Sequence, residues 1–188
     1  MDIRAYEIEA KLKVDSLDGI KRKLTELGAE FIEEQVQTDH YLDGADVALT
    51  KTDRCLRLRR ELAGNNERFL LTYKGAKEEG QFKKRQQIEI EIKDADSAES
   101  LLSALGYEKA LAFQKKRRIW RLGDCVVALD ELPLLGSFVE IEGPSDEKIA
   151  DAQRNLGLAS LPHIAESYPL LIEQKLRELS KAEKEVFL

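Results

Sequence analysis

The stretch YEIEAKLKV, Tyr6 to Val14, decides the fold: every odd position from Glu7 is charged, and every even position from Ile8 is small or apolar. Successive side chains of a strand point to opposite faces, so Glu7, Glu9, Lys11 and Lys13 share one face and Ile8, Ala10, Leu12 and Val14 the other. Taken alone, this is a half-exposed antiparallel strand whose charged face meets water. The same grammar then recurs. Glu7-Ile8-Glu9 precedes Leu27-Gly28, Glu89-Ile90-Glu91 precedes Leu105-Gly106, and Glu140-Ile141-Glu142 precedes Leu156-Gly157. Each unit reads as a strand, then a helix stopped by glycine. A solvated face has no need to repeat Glu-x-Glu three times.

Between these units lie further strand patterns: Phe31 to Leu42, Cys55 to Glu61, Arg68 to Lys74, Ala112 to Arg121 and Cys125 to Asp130. Turn-forming residues such as Gly64-Asn65-Asn66 and Gly123-Asp124 connect them in antiparallel fashion. Asp96 or Ser97 is placed to cap the second helix, and a last helix is expected from about Glu166 to Leu179, with Pro169 tolerated in its first turn. No linker rich in Pro, Gly or Ser divides the 188 residues, so a single domain over 1–188 is expected.

Alternation sorts the charges of the other strands. Arg57 and Arg59 share a face, as do Lys74 and Thr72, then Arg85, Gln87, Glu89 and Glu91, and also Lys115 and Arg117. If the charged faces lay outside a closed sheet, the apolar stripes of the helices would find nothing to cover. The expected fold is therefore α+β: a closed antiparallel β-barrel, apolar faces outward under helices, charged faces lining a tunnel. Arg54, Arg60, Arg118, Lys83 and Lys84 fall off this register or in loops and read as solvated surface. Like charges about 5 Å apart at an effective dielectric near 20 repel by roughly 3 kcal/mol, so segregated clusters call for counter-ions. Carboxylates ask for a divalent cation, bases for a polyanion, and a metal-chelated polyphosphate supplies both.

Composition agrees: 43% hydrophobic and 35% charged residues describe a globular chain, and a net charge of -6 argues against general nucleic-acid binding. No apolar run approaches membrane length, and MDIRAYEIEAK does not read as a secretory signal. Cys55 and Cys125 have no paired spacing, which points to a reducing, cytoplasmic compartment. His40 and His163 lack partners at metal-ligand spacing, so any metal is a hard cation on carboxylates.

Glu7-x-Glu9-x-Lys11 resembles the ExExK signature of the CYTH superfamily, the triphosphate tunnel metalloenzymes, which contains class IV adenylyl cyclases and thiamine triphosphatases. The resemblance runs in order through YLD, LRLRRE, LTYKG, RQQIEIEI, KKRR, ALDELPLLGSFVEIEG and ESYPLLI. It implies a closed eight-stranded antiparallel tunnel and a metal-dependent enzyme using Mg2+ or Mn2+. The substrate would be a triphosphate-bearing small molecule: ATP, thiamine triphosphate or inorganic tripolyphosphate. By resemblance, Glu7, Glu9, Asp130, Glu140 and Glu142 would hold the metal, and Lys11, Arg57, Arg59, Lys74, Arg85, Lys115 and Arg117 the triphosphate. Lys11 and Arg117 are also assigned to catalysis, with Glu89 and Glu91 as further tunnel residues. The pattern is most similar to the class IV cyclase branch, although the chain lacks the His-Phe pair that the branch carries upstream of its glutamates. No nucleic-acid or membrane partner is expected, and a homodimer is left open.

Overall fold

The computed structural model describes residues 5–44 and 48–188; the first four residues, part of the stretch weighed above as a signal, lie outside these. In chain order the elements are β1 (Ala5–Val14), α1 (Asp18–Glu26), β2 (Glu30–Gly44), a 3-10 turn (Thr50–Thr52), β3 (Cys55–Ala63), β4 (Asn66–Lys74), β5 (Lys83–Ile92), α2 (Ala95–Ala104), β6 (Tyr107–Leu122), β7 (Cys125–Leu132), β8 (Gly136–Glu142), α3 (Asp146–Leu156), α4 (Tyr168–Glu178) and β9 (Glu185–Val186).

Strands β1 to β8 close on themselves in the order β1-β8-β7-β6-β2-β3-β4-β5 and back to β1, every neighbour antiparallel. The expected eight-stranded barrel is therefore present, and the two-residue β9 adds a parallel fringe to β6. Closure removes the sheet edges that would otherwise pair with other chains. Two hairpins are tight: Ala63 faces Asn66 across Gly64-Asn65, and Leu122 faces Cys125 across Gly123-Asp124. Gly64 and Gly123 both have positive φ, which such two-residue turns demand. These hairpins mark one end of the barrel.

Apolar positions of β1, β7 and β8 face outward as the alternation requires. Ala10, Leu12, Val127, Leu129, Val139 and Ile141 pack under Leu24 of α1 and Ile149, Ala152 and Leu156 of α3. Gly143, just past β8, sits so close beneath α3 that an added Cβ would lie 2.9 Å from the Cys125 sulfur. A second core forms at the opposite end. Phe113, Leu132 and Phe138, which share the inward parity of their strands, pack against Tyr168, Ile172 and Leu176 of α4. The last helix thus lies across the barrel mouth, its first turn preset by Pro169. The cap of α2 differs from expectation: Asp94 accepts the Ser97 amide, because the helix begins two or three residues earlier than Asp96 or Ser97 would place it.

Candidate active site

Inward alternation from eight strands builds a cavity of about 520 Å³ inside the barrel. Along it, Glu7, Glu9 and Lys11 of β1 meet Glu140 and Glu142 of β8, while Arg57 and Arg59 of β3, Lys74 of β4, Arg85 of β5 and Lys115 and Arg117 of β6 complete the wall. Each of these was placed on a charged strand face by sequence, and the structure brings them together. Glu89 also lines the cavity and accepts from Thr72 at 2.8 Å.

Two residues of the expected set stand elsewhere. Glu91 keeps the inward parity but lies opposite Leu70 at the hairpin end, exposed and off the cavity wall, because β5 runs past the rim. Asp130 keeps the inward parity but is fully buried beneath Lys115, Arg117 and Tyr168 and does not line the cavity. It accepts from Arg117 Nε at 2.7 Å, from the Tyr168 hydroxyl at 2.9 Å and from Lys115 at 3.4 Å, so its oxygens anchor bases.

The structure also corrects two readings of solvated surface. Lys83 shares the inward parity of Arg85, lines the cavity and donates to Glu9. Arg54 reaches the mouth near α4. Arg60, Lys84 and Arg118 do point outward, paired with Glu67, Glu78, and both Glu34 and Glu131. Sequence reasoning missed Asp39, Glu61, Gln35 and Gln37, all buried. Arg59 grips Asp39 in a two-pronged bond at 2.6 and 2.7 Å, and Gln37 donates to Glu61 at 2.9 Å. Extending the parity of Arg57 and Arg59 by two residues would have found Glu61.

Charges along the wall are compensated unevenly. Lys74 donates to both oxygens of Glu7 at 2.7 Å, and Arg117 bridges Asp130 and Glu140. Burial and Glu140 push the Glu9 carboxyl upward, yet Lys83, Lys11 and Lys74 hold it down at about 2. Glu142, the cross-strand neighbour of Glu9 at the hairpin end, makes no ion pair among the described residues. Partial desolvation and the carboxylates of Glu7, Glu9 and Glu140 lift it to about 7. Among the bases, burial and the neighbouring Arg117 and Arg59 push Lys115 down to about 7 against the pull of Asp130. Arg85 is buried with an unpartnered Nε, and its ion-pair partner is the exposed Asp53 at 3.6 Å. Acid thus lacks cation at one place among the described residues, and base is met only by an exposed anion at another.

Among the described residues, no three His, Cys, Asp or Glu side chains are gathered into a ready-made metal centre. The donors nevertheless fit a hard divalent cation. They are carboxylates on adjacent strands, with Glu142 unpaired and repelled by its neighbours.

A family model described as the CYTH domain matches residues 5–168, the whole eight-stranded barrel and most of the chain. The chain belongs to the CYTH family. Adenylate cyclase CyaB of Aeromonas hydrophila is 28% identical over 181 residues, 91% of each chain. The protein MJ0240 of Methanocaldococcus jannaschii, provisionally named an adenylate cyclase, is 35% identical over 136 residues, 72% of this chain and 75% of that one. Among solved CYTH-like structures, PH1819 of Pyrococcus horikoshii superposes with a TM-score of 0.77 at 31% identity, covering 89% of this chain and 99% of its own. No helix among the described residues is long and apolar enough to cross a membrane.

Proposed function

We propose that the chain is a metal-dependent enzyme that binds a triphosphate inside the barrel, and that its reaction is conversion of ATP to cyclic AMP and pyrophosphate. One observation carries this reading: a carboxylate cluster short of cation and buried bases short of anion share one cavity. A triphosphate chelating a divalent cation satisfies both at once. The cyclase arm rests on the relatives named as adenylate cyclases.

In this reading Lys11, Arg57, Arg59, Lys74, Arg85, Lys115 and Arg117 cradle the phosphate oxygens, joined by Lys83. Lys11 and Arg117 stand closest to both charge types, each paired with Glu140, and so carry catalysis by neutralising charge that builds on the leaving phosphates. Glu7, Glu9, Glu140 and Glu142 would hold Mg2+ or Mn2+, with Asp130 orienting Arg117 behind them. When bound, the cation polarises phosphoryl oxygens and screens the triphosphate charge. For cyclisation the wall must hold the ribose 3'-hydroxyl in line with the alpha phosphorus; for hydrolysis it need only admit water at the terminal phosphorus.

The second reading, hydrolysis of thiamine triphosphate or tripolyphosphate, is favoured by the missing His-Phe pair. The same fold also occurs, at 16% identity, in HpAC1 of Hippeastrum, a protein with a dominant triphosphatase activity. A panel of ATP, thiamine triphosphate and tripolyphosphate with Mg2+ or Mn2+ separates the readings by product. Cyclic AMP and pyrophosphate are expected from ATP; orthophosphate without cyclic product replaces the cyclase by the triphosphatase. Glu9→Gln should abolish turnover in either case. Because it frees Lys83, it should leave tripolyphosphate affinity in metal-free buffer unchanged or higher. A third reading, a binding module without turnover, would show protection by ligand and no product at all.

A further inference from the structure

Tyr168 opens α4, is 5% exposed, and enters the barrel from outside the charged strands. Its ring lies 4.0 Å from the Lys11 ammonium and 4.8 Å from that of Lys115. These are cations from two different strands placed over one aromatic ring. Its hydroxyl is occupied elsewhere, donating to Asp130 at 2.9 Å, and Phe138 braces the ring edge-on at 5.2 Å. The segment before it contributes as well: Lys11 donates to the Glu166 carbonyl at 3.1 Å.

From this geometry, and resting on the triphosphate reading of the cavity, we propose that Tyr168 is a positioning residue that aims the Lys11 and Lys115 ammonium groups into the tunnel. A carboxylate in its place would hold the lysines by neutralising them and would compete with an incoming phosphate. An aromatic face attracts a cation through its quadrupole but carries no net charge, so the ammonium keeps its charge for the anion. The division of labour is visible in the bonds. Asp130, which does carry charge, is engaged by Arg117 and by the phenol, leaving Lys115 a longer 3.4 Å contact. Lys11 is likewise 3.4 Å from Glu140. The ring holds both lysines where their carboxylates hold them loosely.

The test is calorimetric binding of inorganic tripolyphosphate to the whole chain in metal-free buffer, with thermal melts alongside. Tyr168→Phe keeps the ring and gives up only the bond to Asp130, so it should bind within about threefold of the parent. Tyr168→Leu removes the ring and should bind roughly 10- to 30-fold more weakly, the size expected for desolvated cation–π contacts. In a Lys115→Met background the same change should cost less, since one of the two aimed cations is already gone. Tyr168→Met, close in volume but without a π face, should behave like the leucine variant. Equal binding by the leucine and phenylalanine variants overturns the proposal, as does full additivity with Lys115→Met. Failure of both aliphatic variants to fold, beside a normal phenylalanine variant, also overturns it by assigning the ring to stability. A parent chain that binds no tripolyphosphate overturns the tunnel reading instead.

Discussion

The β2–β3 wall of the barrel and the β1–β5–β8 wall are both lined with buried charge, but they are finished differently. On the first, Asp39 receives two bonds from Arg59 with Arg57 3.9 Å away, and Glu61 accepts from both Gln37 and Arg68. Every acid there has a base. On the second, Glu142 has no cation among the described residues, and the acid that Arg85 reaches, Asp53 at 3.6 Å, is exposed. Charges compensated within the protein fix its shape, while charges left unbalanced favour a ligand that brings the missing ions. The first wall therefore belongs chiefly to stability and the second to binding, although Arg57 and Arg59 remain within reach of the cavity.

The largest effect expected from this contrast is at Asp39. Asp39→Ala takes the two-pronged partner from Arg59 and leaves Arg59 only Glu61 at 3.8 Å and Arg57 only Glu89 at 3.5 Å, and losing one partner of a buried pair costs about 3–5 kcal/mol. For a chain of this size that lowers Tm by roughly 10 °C or more. Although burial works against it, the Arg59 and Arg57 charges hold the Asp39 carboxyl well below the ordinary range. Its contribution is thus full above the ordinary Asp pKa and is lost as pH falls through the depressed one. Melts of parent and variant should converge in strong acid; an unchanged Tm near neutrality would erase the contrast.

Arg85→Ala is the counterpart on the second wall and should produce the opposite pattern. Its one acid, Asp53, is exposed and loses little when left to water, so the variant should melt within about 2 °C of the parent. Tripolyphosphate affinity should fall about 10- to 100-fold, the worth of charge-assisted bonds to phosphate. A large loss of Tm with little loss of affinity would move Arg85 to the structural wall.

The second wall was also the more legible in sequence, and for a physical reason. Where apolar and charged residues alternate, as in β1 and β8, the strand has one possible inner face, so Glu7, Glu9, Glu140 and Glu142 follow from parity. In β2 both parities are polar: Glu33, Gln35, Gln37 and Asp39 on one side, Glu34, Thr38 and His40 on the other. Nothing local tells which side is buried, and Asp39 becomes visible only when Arg59 lies across from it. Lys83 escaped because it stands at the first residue of β5, where a loop reading competes with parity. That Asp130 is covered and not open to the cavity depends in part on Tyr168, some forty residues later and on a helix, which no strand pattern reports. The barrel itself was legible because the apolar stripes of the flanking helices needed an outward apolar surface.

The smallest expected effect is the sharpest test of imbalance at Glu142. Its carboxyl is pushed up to about 7 from the usual glutamate range, because partial burial desolvates it and Glu7, Glu9 and Glu140 repel its charge. An acid whose pKa is raised by folding favours the native state while protonated. The fold therefore loses stability as pH climbs from the ordinary glutamate value through about 7, and the loss is complete above that. Glu142→Gln removes the repelled charge, so in metal-free buffer it should raise Tm at pH 8 and do little at pH 5. Solvent reaches this side chain, which limits the gain to about 1 kcal/mol, roughly 2–4 °C. Mg2+ at pH 8 should then close the gap from the other side, stabilising the parent more than the variant. If the two chains melt together at pH 8 without metal, water already screens Glu142, and the second wall is as balanced as the first.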